Sequence, residues 1–240
     1  MLVNKYKRLI YISSAISLVA CLAYILGWSS LLTVKKIEIS GTNSKSVIEE
    51  ELRKRDLSLT VGMRLARVDL RGIKSTLSEM DWLDSYSVER NWLAGDVQLA
   101  VIEKIGVAKA LIEDGSTLYF DENGELFKPV SRIQLSTNNK LALVTSESRS
   151  SGDLAGVVAL LQGLPTELDF LLTEMKGISV GKSGYLNMMT KIGGRDVQIN
   201  WGKADSLDEK FQVLSALLEL PENKAANNFD LSIPDSPIAS

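Results

Sequence analysis

The residues able to do chemistry in this chain of 240 are few, and the chain has no His and a single Cys. Without His it lacks the usual general base, the usual zinc or copper ligand and the usual switch near neutral pH. Ser-His-Asp and Cys-His machinery are excluded outright. Cys21 lies inside an apolar run, where neither a reactive thiolate nor a thiolate metal site is expected, and one Cys forms no intrachain disulfide. Ser, Lys and carboxylate chemistry remain. Ser179-Val-Gly-Lys182 has S-x-x-K spacing, and Lys182-Ser183-Gly184 faintly matches K-T-G. An acyl-transfer enzyme needs those motifs far apart, on separate lysines, with a third between them. Here one lysine would serve both, in a segment that reads as a loop before a strand. Gly193-Gly194 and Gly181-x-x-Gly184 are isolated pairs outside any βαβ pattern, so no phosphate loop is expected. Asp81 and Asp84 are a carboxylate pair whose separation cannot be read from spacing. No catalytic residue, metal site, cofactor or small-molecule substrate is expected.

The elements that position these groups begin with a charge split. The chain holds 27 Lys+Arg against 30 Asp+Glu, yet residues 1–32 carry Lys5, Lys7 and Arg8 and no acid. The rest carries a net charge of −6, which argues against nucleic acid as a partner. Residues 9–32 are 24 uncharged positions. As a helix they would measure about 36 Å, against roughly 30 Å for a bilayer's hydrocarbon core. Tyr11 and Trp28 sit near the two ends, where amphipathic rings prefer the interface. The basic tail 1–8 predicts a cytoplasmic N-terminus, a bias that Lys35 and Lys36 weaken without reversing. A cleaved signal peptide fits less well, because no clear A-x-A site follows. Leu18-Val-Ala-Cys21 reads like a lipobox, which makes a lipid-anchored binding protein the rival reading. Against it, Leu-Ala-Tyr-Ile-Leu-Gly-Trp follows Cys21, where a lipoprotein continues with a polar tether. Either way, residues 33–240 are expected outside the cytoplasm.

Val34–Ile39 alternates as a strand does and closes on Ser40-Gly41-Thr42-Asn43. Ser46-Val-Ile-Glu49 has capping-box spacing ahead of a short helix, and Glu49-Glu50-Glu51 reads as its solvated face. A second helix is expected from Asp69, with Leu70, Ile73, Leu77 and Met80 as a buried stripe. Strands follow around Tyr86–Trp92 and Val97–Val101, joined at Leu93–Asp96, with Trp82 and Trp92 as packing residues. Beyond Lys104, strands are expected at Val107–Ile112, Thr117–Phe120, Glu125–Phe127, Tyr185–Thr190, Asp196–Asn200 and Asn228–Ile233. Asp121–Gly124 is too short for a calcium loop and reads as a turn. A Ser-rich loop at 146–152 precedes a helix over Asp153–Leu161, and a second capping box, Ser206–Glu209, opens a helix that Pro221 stops. The fold class is α+β, with a single N-terminal transmembrane helix.

In this order the parts resemble the bacterial cell division protein family FtsQ (DivIB). Val34-Lys-Lys-Ile-Glu-Ile-Ser-Gly41 is similar to the family's opening strand and glycine. Trp82, Val88-Glu-Arg90-Asn-Trp92, Val97-x-Leu99-x-Val101-x-Glu103 and Asp121-x-x-Gly124-x-x-Phe127 resemble its later strands. Gly184-Tyr-Leu, Trp201-Gly202 and Phe229-Asp-Leu-Ser-Ile-Pro234 resemble the second half of its β domain. Asp81, Leu93 and Gly106 stand where the family has proline, and Glu103-Lys-Ile-Gly loosens its E-R-x-P junction. The resemblance implies a cytoplasmic tail at 1–8, a span at 9–32, a POTRA domain (β-α-α-β-β) at 34–103 and a β-rich domain at 104–240. It implies a division-site scaffold in the cell membrane, not an enzyme. Such a scaffold recruits FtsB (DivIC)- and FtsL-type membrane proteins and helps govern septal peptidoglycan synthesis. A last strand at Phe229, Asp230, Leu231, Ser232 and Ile233 would accept a partner strand if it lies at a sheet edge. Lys203 falls where the family places a basic residue that meets an acidic partner segment. A third option, an outer-membrane assembly factor that also uses a POTRA domain, would continue into a barrel for which little length remains.

Overall fold

The computed structural model describes residues 2–27, 32–112, 114–132, 134 and 141–240. Helix α1 runs Leu2–Gly27, and its apolar residues Ile10, Tyr11, Ile16, Leu18 and Val19 are exposed. Of the expected span 9–32, residues 28–31, Trp28 included, lie outside the described residues. Among the described residues no single helix is long and apolar enough to cross a membrane; the apolar stretch there is Ile10–Cys21. The chain divides into two compact units, Met1–Glu103 and Lys104–Ser240.

After α1, the first unit contains β1 (Lys36–Ser40), α2 (Lys45–Lys54), α3 (Leu70–Ser78), β2 (Leu83–Asn91) and β3 (Asp96–Glu103). The sheet order is β1-β3-β2, with β1 parallel and β2 antiparallel to β3. The alternating residues Val97, Leu99 and Val101 of the central strand are all buried, as a strand covered on one face requires. Ile48 and Leu52 of α2 and Ile73 and Leu77 of α3 fill the space above them, and Trp82 is core. Asp69 caps α3, its Oδ1 accepting from the amides of Arg71 at 3.1 Å and Gly72 at 3.0 Å. The Ser46–Glu49 box does not form: α2 starts at Lys45 and its N-cap Ser44 makes no side-chain cap bond. Thr42 Oγ1 accepts the Ser44 amide at 2.7 Å, so the turn supplies its own cap. Gly41 holds φ +84°, and a Cβ there would lie 1.8 Å from the Val101 carbonyl oxygen. The chain can turn away from β1 that tightly only with glycine.

The second unit contains β4 (Ala108–Ile112), β5 (Thr117–Phe120), β6 (Leu126–Phe127), β7 (Ala142–Ser146), α4 (Ser151–Gly163), α5 (Phe170–Thr173) and β8 (Gly177–Val180). It continues with β9 (Leu186–Ile192), β10 (Arg195–Gly202), α6 (Leu207–Glu219), β11 (Asn228–Asp230) and β12 (Ile238–Ala239). The nine strands form one sheet, ordered β12-β11-β10-β9-β8-β7-β4-β5-β6. Pairs β4–β7, β7–β8 and β10–β11 are parallel, and helices bridge the last two, as parallel crossovers require. Val144, Ile178, Met188, Ile199, Trp201 and Phe229 meet Leu154, Val157, Leu160, Phe211 and Leu214 in the core. Phe211 stands edge-on to Trp201, ring centroids 5.5 Å apart.

Three strands, β7, β8 and β12, lie where no strand was expected. Ser179 is in β8, not in a loop, paired with Thr145 and Asn187 across the sheet. It is a ladder residue with no nucleophile's setting. The second capping box also fails, because Ser206 adopts φ 48° and makes no side-chain cap bond. The turn at Asp121 forms as expected: its Oδ1 accepts the amides of Asn123 and Glu125, both at 2.9 Å.

Lys104, first residue of the second unit, is 7% exposed and lies 3.4 Å from Asp121 Oδ2, and it also donates to Glu125. Burial pulls the ammonium pKa down, but Glu125 and Asp121 outweigh it and hold it above the ordinary lysine range. Lys104→Met leaves the buried Asp121 without its cation, and urea denaturation should show a loss of about 3 kcal/mol. The double variant Lys104→Met/Asp121→Asn should recover most of that loss, because no uncompensated charge remains buried while the amide oxygen keeps accepting from Asn123 and Glu125.

Candidate functional site

Sheet edges, clefts and clustered ionisable groups are where a chain of this composition could act. Among the described residues, no group of three or more Cys, Asp or Glu is placed to hold a metal ion. Asp81 and Asp84 flank Trp82 and Leu83 at the entry to β2, and Glu50 and Glu51 pair along the surface of α2 with Arg53 at 3.7 Å and Lys54 at 2.6 Å. A groove of about 820 Å³ lies between β1 and α2, floored by Ile37, Ile39, Leu52 and Leu59. Glu38 at its rim is held by Lys36 at 2.7 Å, which depresses the carboxyl and raises the ammonium. Salt-bridged carboxylates around an apolar floor suit a peptide better than a reaction.

The end of the large sheet holds the residues that the sequence singled out. β11 pairs parallel with β10 through Gln198–Asn228, Ile199–Phe229 and Asn200–Asp230. It does not lie at the edge. Phe229 and Asp230 are paired on their other side with Ala239 and Ile238 of β12. The edge expected at Phe229–Ile233 therefore moves one strand outward, because the segment after Ile233 turns back and covers it. The amide of Ser236 donates to the Ile233 carbonyl at 3.0 Å to close that turn. Phe229 and Leu231 are core side chains, 1% and 0% exposed, whereas Ile233 is 63% exposed. Asp230 is half-buried; burial raises its carboxyl, and bonds from Ser232 and Asn200 outweigh this and leave it lowered. Its Oδ1 accepts the Ser232 amide at 2.9 Å.

Lys203 follows β10 and lies at this same end of the strands. Gly202, at φ +67°, approaches the Ser232 backbone so closely that a Cβ would sit 2.8 Å from its Cα. Lys203, Ser232, Ile233 and Ile238 therefore gather where β10 and β11 end and β12 begins. A residue that the sequence reading passed over holds this corner. Lys210 of α6 is fully buried, and its Nζ donates to the Lys203 carbonyl at 2.8 Å and to Asp205 Oδ1 at 2.7 Å. That bond is the main cause holding the Asp205 carboxyl below its ordinary range. The signal for Lys210 was its place beside Phe211 on the inward side of a helix, where a lysine needs a partner.

Comparison with known proteins gives a consistent result. Residues 32–104 match the POTRA domain family of FtsQ type. The cell division protein FtsQ of Geotalea daltonii is 23% identical to this chain, across 92% of its length and 83% of the relative's own. The similarity thus runs through both units and into the N-terminal helix.

Lys210→Met should loosen the corner without touching the sheet. Hydrogen bonds to a charged group contribute about 1.5–3 kcal/mol, so amide exchange across 203–206 should rise by about tenfold or more. Exchange in β9 should stay unchanged, and the Asp205 carboxyl, followed by NMR titration, should move up.

Proposed function

We propose that this chain, which belongs to the FtsQ/DivIB family of cell division proteins, is a non-enzymatic scaffold of the division site. Similarity to a cell division protein FtsQ along 92% of the chain is the observation that carries the reading. Residues 9–32 hold one span, with the tail 1–8 in the cytoplasm and residues 33–240 outside. The exposed apolar residues of α1 support this, since Ile10, Ile16 and Leu18 find no protein surface to bury against. A stretch of helix exposed all round and apolar all round is solvated by lipid.

The outer part recruits FtsB (DivIC)- and FtsL-type membrane proteins, and through them bears on septal peptidoglycan synthesis. The surface offered is the corner of the large sheet: Lys203, Ser232, Ile233 and the outer side of β12, with Asp230 beneath. Phe229 and Leu231 serve it from the core by fixing the strand. An acidic partner segment placed against β12 meets Lys203 at the strand ends.

A fluorescent fusion of the full chain should form a midcell band in dividing cells, and uniform membrane fluorescence would sink the scaffold reading. Lys203→Glu should weaken capture of an FtsB-type partner, most clearly at low salt, because charge reversal acts through an unscreened contact. Unchanged capture at low salt would remove Lys203 from the surface. Leu231→Pro is not a usable probe, since Leu231 is wholly buried and its amide bonds the Asn200 carbonyl at 2.8 Å.

A further inference from the structure

The end of the first unit nearest the apolar run is built from three segments. Residues 33–35 leave the run and are flanked by two turns. On one side, the Val34 amide donates to the Met63 carbonyl and the Gly62 amide to the Val34 carbonyl, both at 2.8 Å, and Thr33 bridges Arg64. On the other side, the Lys35 amide donates to the Gly95 carbonyl at 2.8 Å. Gly95 packs so tightly there that a Cβ would lie 2.9 Å from the Thr33 carbonyl oxygen. Both turns therefore sit level with the residue that follows the last apolar position.

What these turns expose is unusual for an ordered surface. Leu93 is 95% exposed and Val61 67% exposed, with Trp92 partly exposed beside Leu93. Leu93 does not hang on a loose loop: Asn91 Oδ1 accepts the amides of Leu93 and Ala94, both at 3.0 Å, and the Gly95 amide bonds the Asn91 carbonyl at 2.9 Å. The turn is fixed, and it holds a leucine fully outward. The Arg90 guanidinium lies over the Trp92 ring, 4.2 Å from its centroid, and donates back to the Leu65 carbonyl. That bond braces the ring's neighbour against the rest of the unit.

The charge of these segments is equally one-sided. Residues 33–36, 60–64 and 92–95 contain Lys35, Lys36 and Arg64. Lys36 is engaged by Glu38 at 2.7 Å and faces Asp96 across the sheet, so Lys35 and Arg64 carry the positive charge of this end. We propose that this end of the first unit docks on an anionic phospholipid bilayer, with Leu93, Val61 and Trp92 entering the headgroup layer and Lys35 and Arg64 meeting lipid phosphates. The occupant is fixed by continuity, because the chain reaches these turns directly from its apolar run. The mix of aromatic, aliphatic and basic residues is that of an interfacial surface. The inference rests on the proposed membrane span and adds that the unit lies on the bilayer instead of swinging free on its linker.

The test uses the full chain in nanodiscs of phosphatidylglycerol and phosphatidylethanolamine. In a Cys21→Ser background, single nitroxides are placed through Leu93→Cys, Val61→Cys, Ile16→Cys and Ile102→Cys, and circular dichroism confirms that each variant is folded. Ile102 is 60% exposed at the far end of β3 and serves as the aqueous reference. Labels at Leu93 and Val61 should show an oxygen-to-nickel-chelate accessibility ratio several-fold above that at Ile102, and the excess should shrink in discs of phosphatidylcholine. If Leu93 and Val61 match Ile102 while Ile16 is shielded from nickel, docking is overturned and the span stands. If Ile16 is also open to nickel, the span reading falls and docking falls with it. An excess that persists undiminished in phosphatidylcholine would overturn the role given to Lys35 and Arg64.

Discussion

Backbone amides and carbonyls at the end of a sheet have no ladder partner, and the second unit is arranged around where its two ends fall. Both ends are two-residue strands, β6 and β12. Each presents few free groups, and β12 is preceded by Pro237, which has no amide hydrogen to offer. Short edge strands keep a nine-stranded sheet from pairing indiscriminately with other chains. A partner that does add a strand here gains little from backbone alone. Selectivity must then come from the side chains at the strand ends, which is where Lys203, Ile233 and Ile238 stand.

The same two ends are tied down by buried lysines. Lys104 reaches the turn between β5 and β6, at Asp121 and Glu125. Lys210 reaches the loop that follows β10, at Lys203 and Asp205. In each case a buried aliphatic stem brings one charge to a backbone carbonyl or carboxylate of a turn or loop. Removing either cation strands a group that was ordered around it, so these contacts specify loop position more than they add net stability. For the role proposed for the Lys203 corner, that distinction matters. A loop whose carbonyl is pinned from beneath presents its side chain from a fixed place, and less ordering entropy is lost when a partner binds.

The local features were legible where neighbouring residues alone decide them. The alternation of Val97, Leu99 and Val101, the Asp69 cap, the turn at Asp121 and the helix stripe of Ile73 and Leu77 all depend on spacing within a few positions. The strands β7, β8 and β12 were not legible, because each is too short to show a period and is set by pairing with other strands, parallel between β7 and β8 and antiparallel between β12 and β11. The two capping boxes were misread for a related reason. Ser46 lies inside α2, which begins one residue earlier after Ser44, and Ser206 takes a left-handed backbone and makes no side-chain cap bond. The position of the edge depended on β12, and of the residues named for a partner Phe229 and Leu231 face inward.

The missing His bears on how the outer part behaves near a bilayer. With no side chain titrating between carboxylate and lysine ranges, the net charge of −6 on residues 33–240 is constant across physiological pH. In the docking proposed for the first unit, an anionic bilayer attracts the end around Lys35 and Arg64. The docking is therefore insensitive to pH and sensitive to ionic strength, since a Debye length of about 8 Å at physiological salt confines the attraction to groups close to the surface. The apolar contribution of Leu93 and Val61 is not screened, so docking weakens with salt without being abolished.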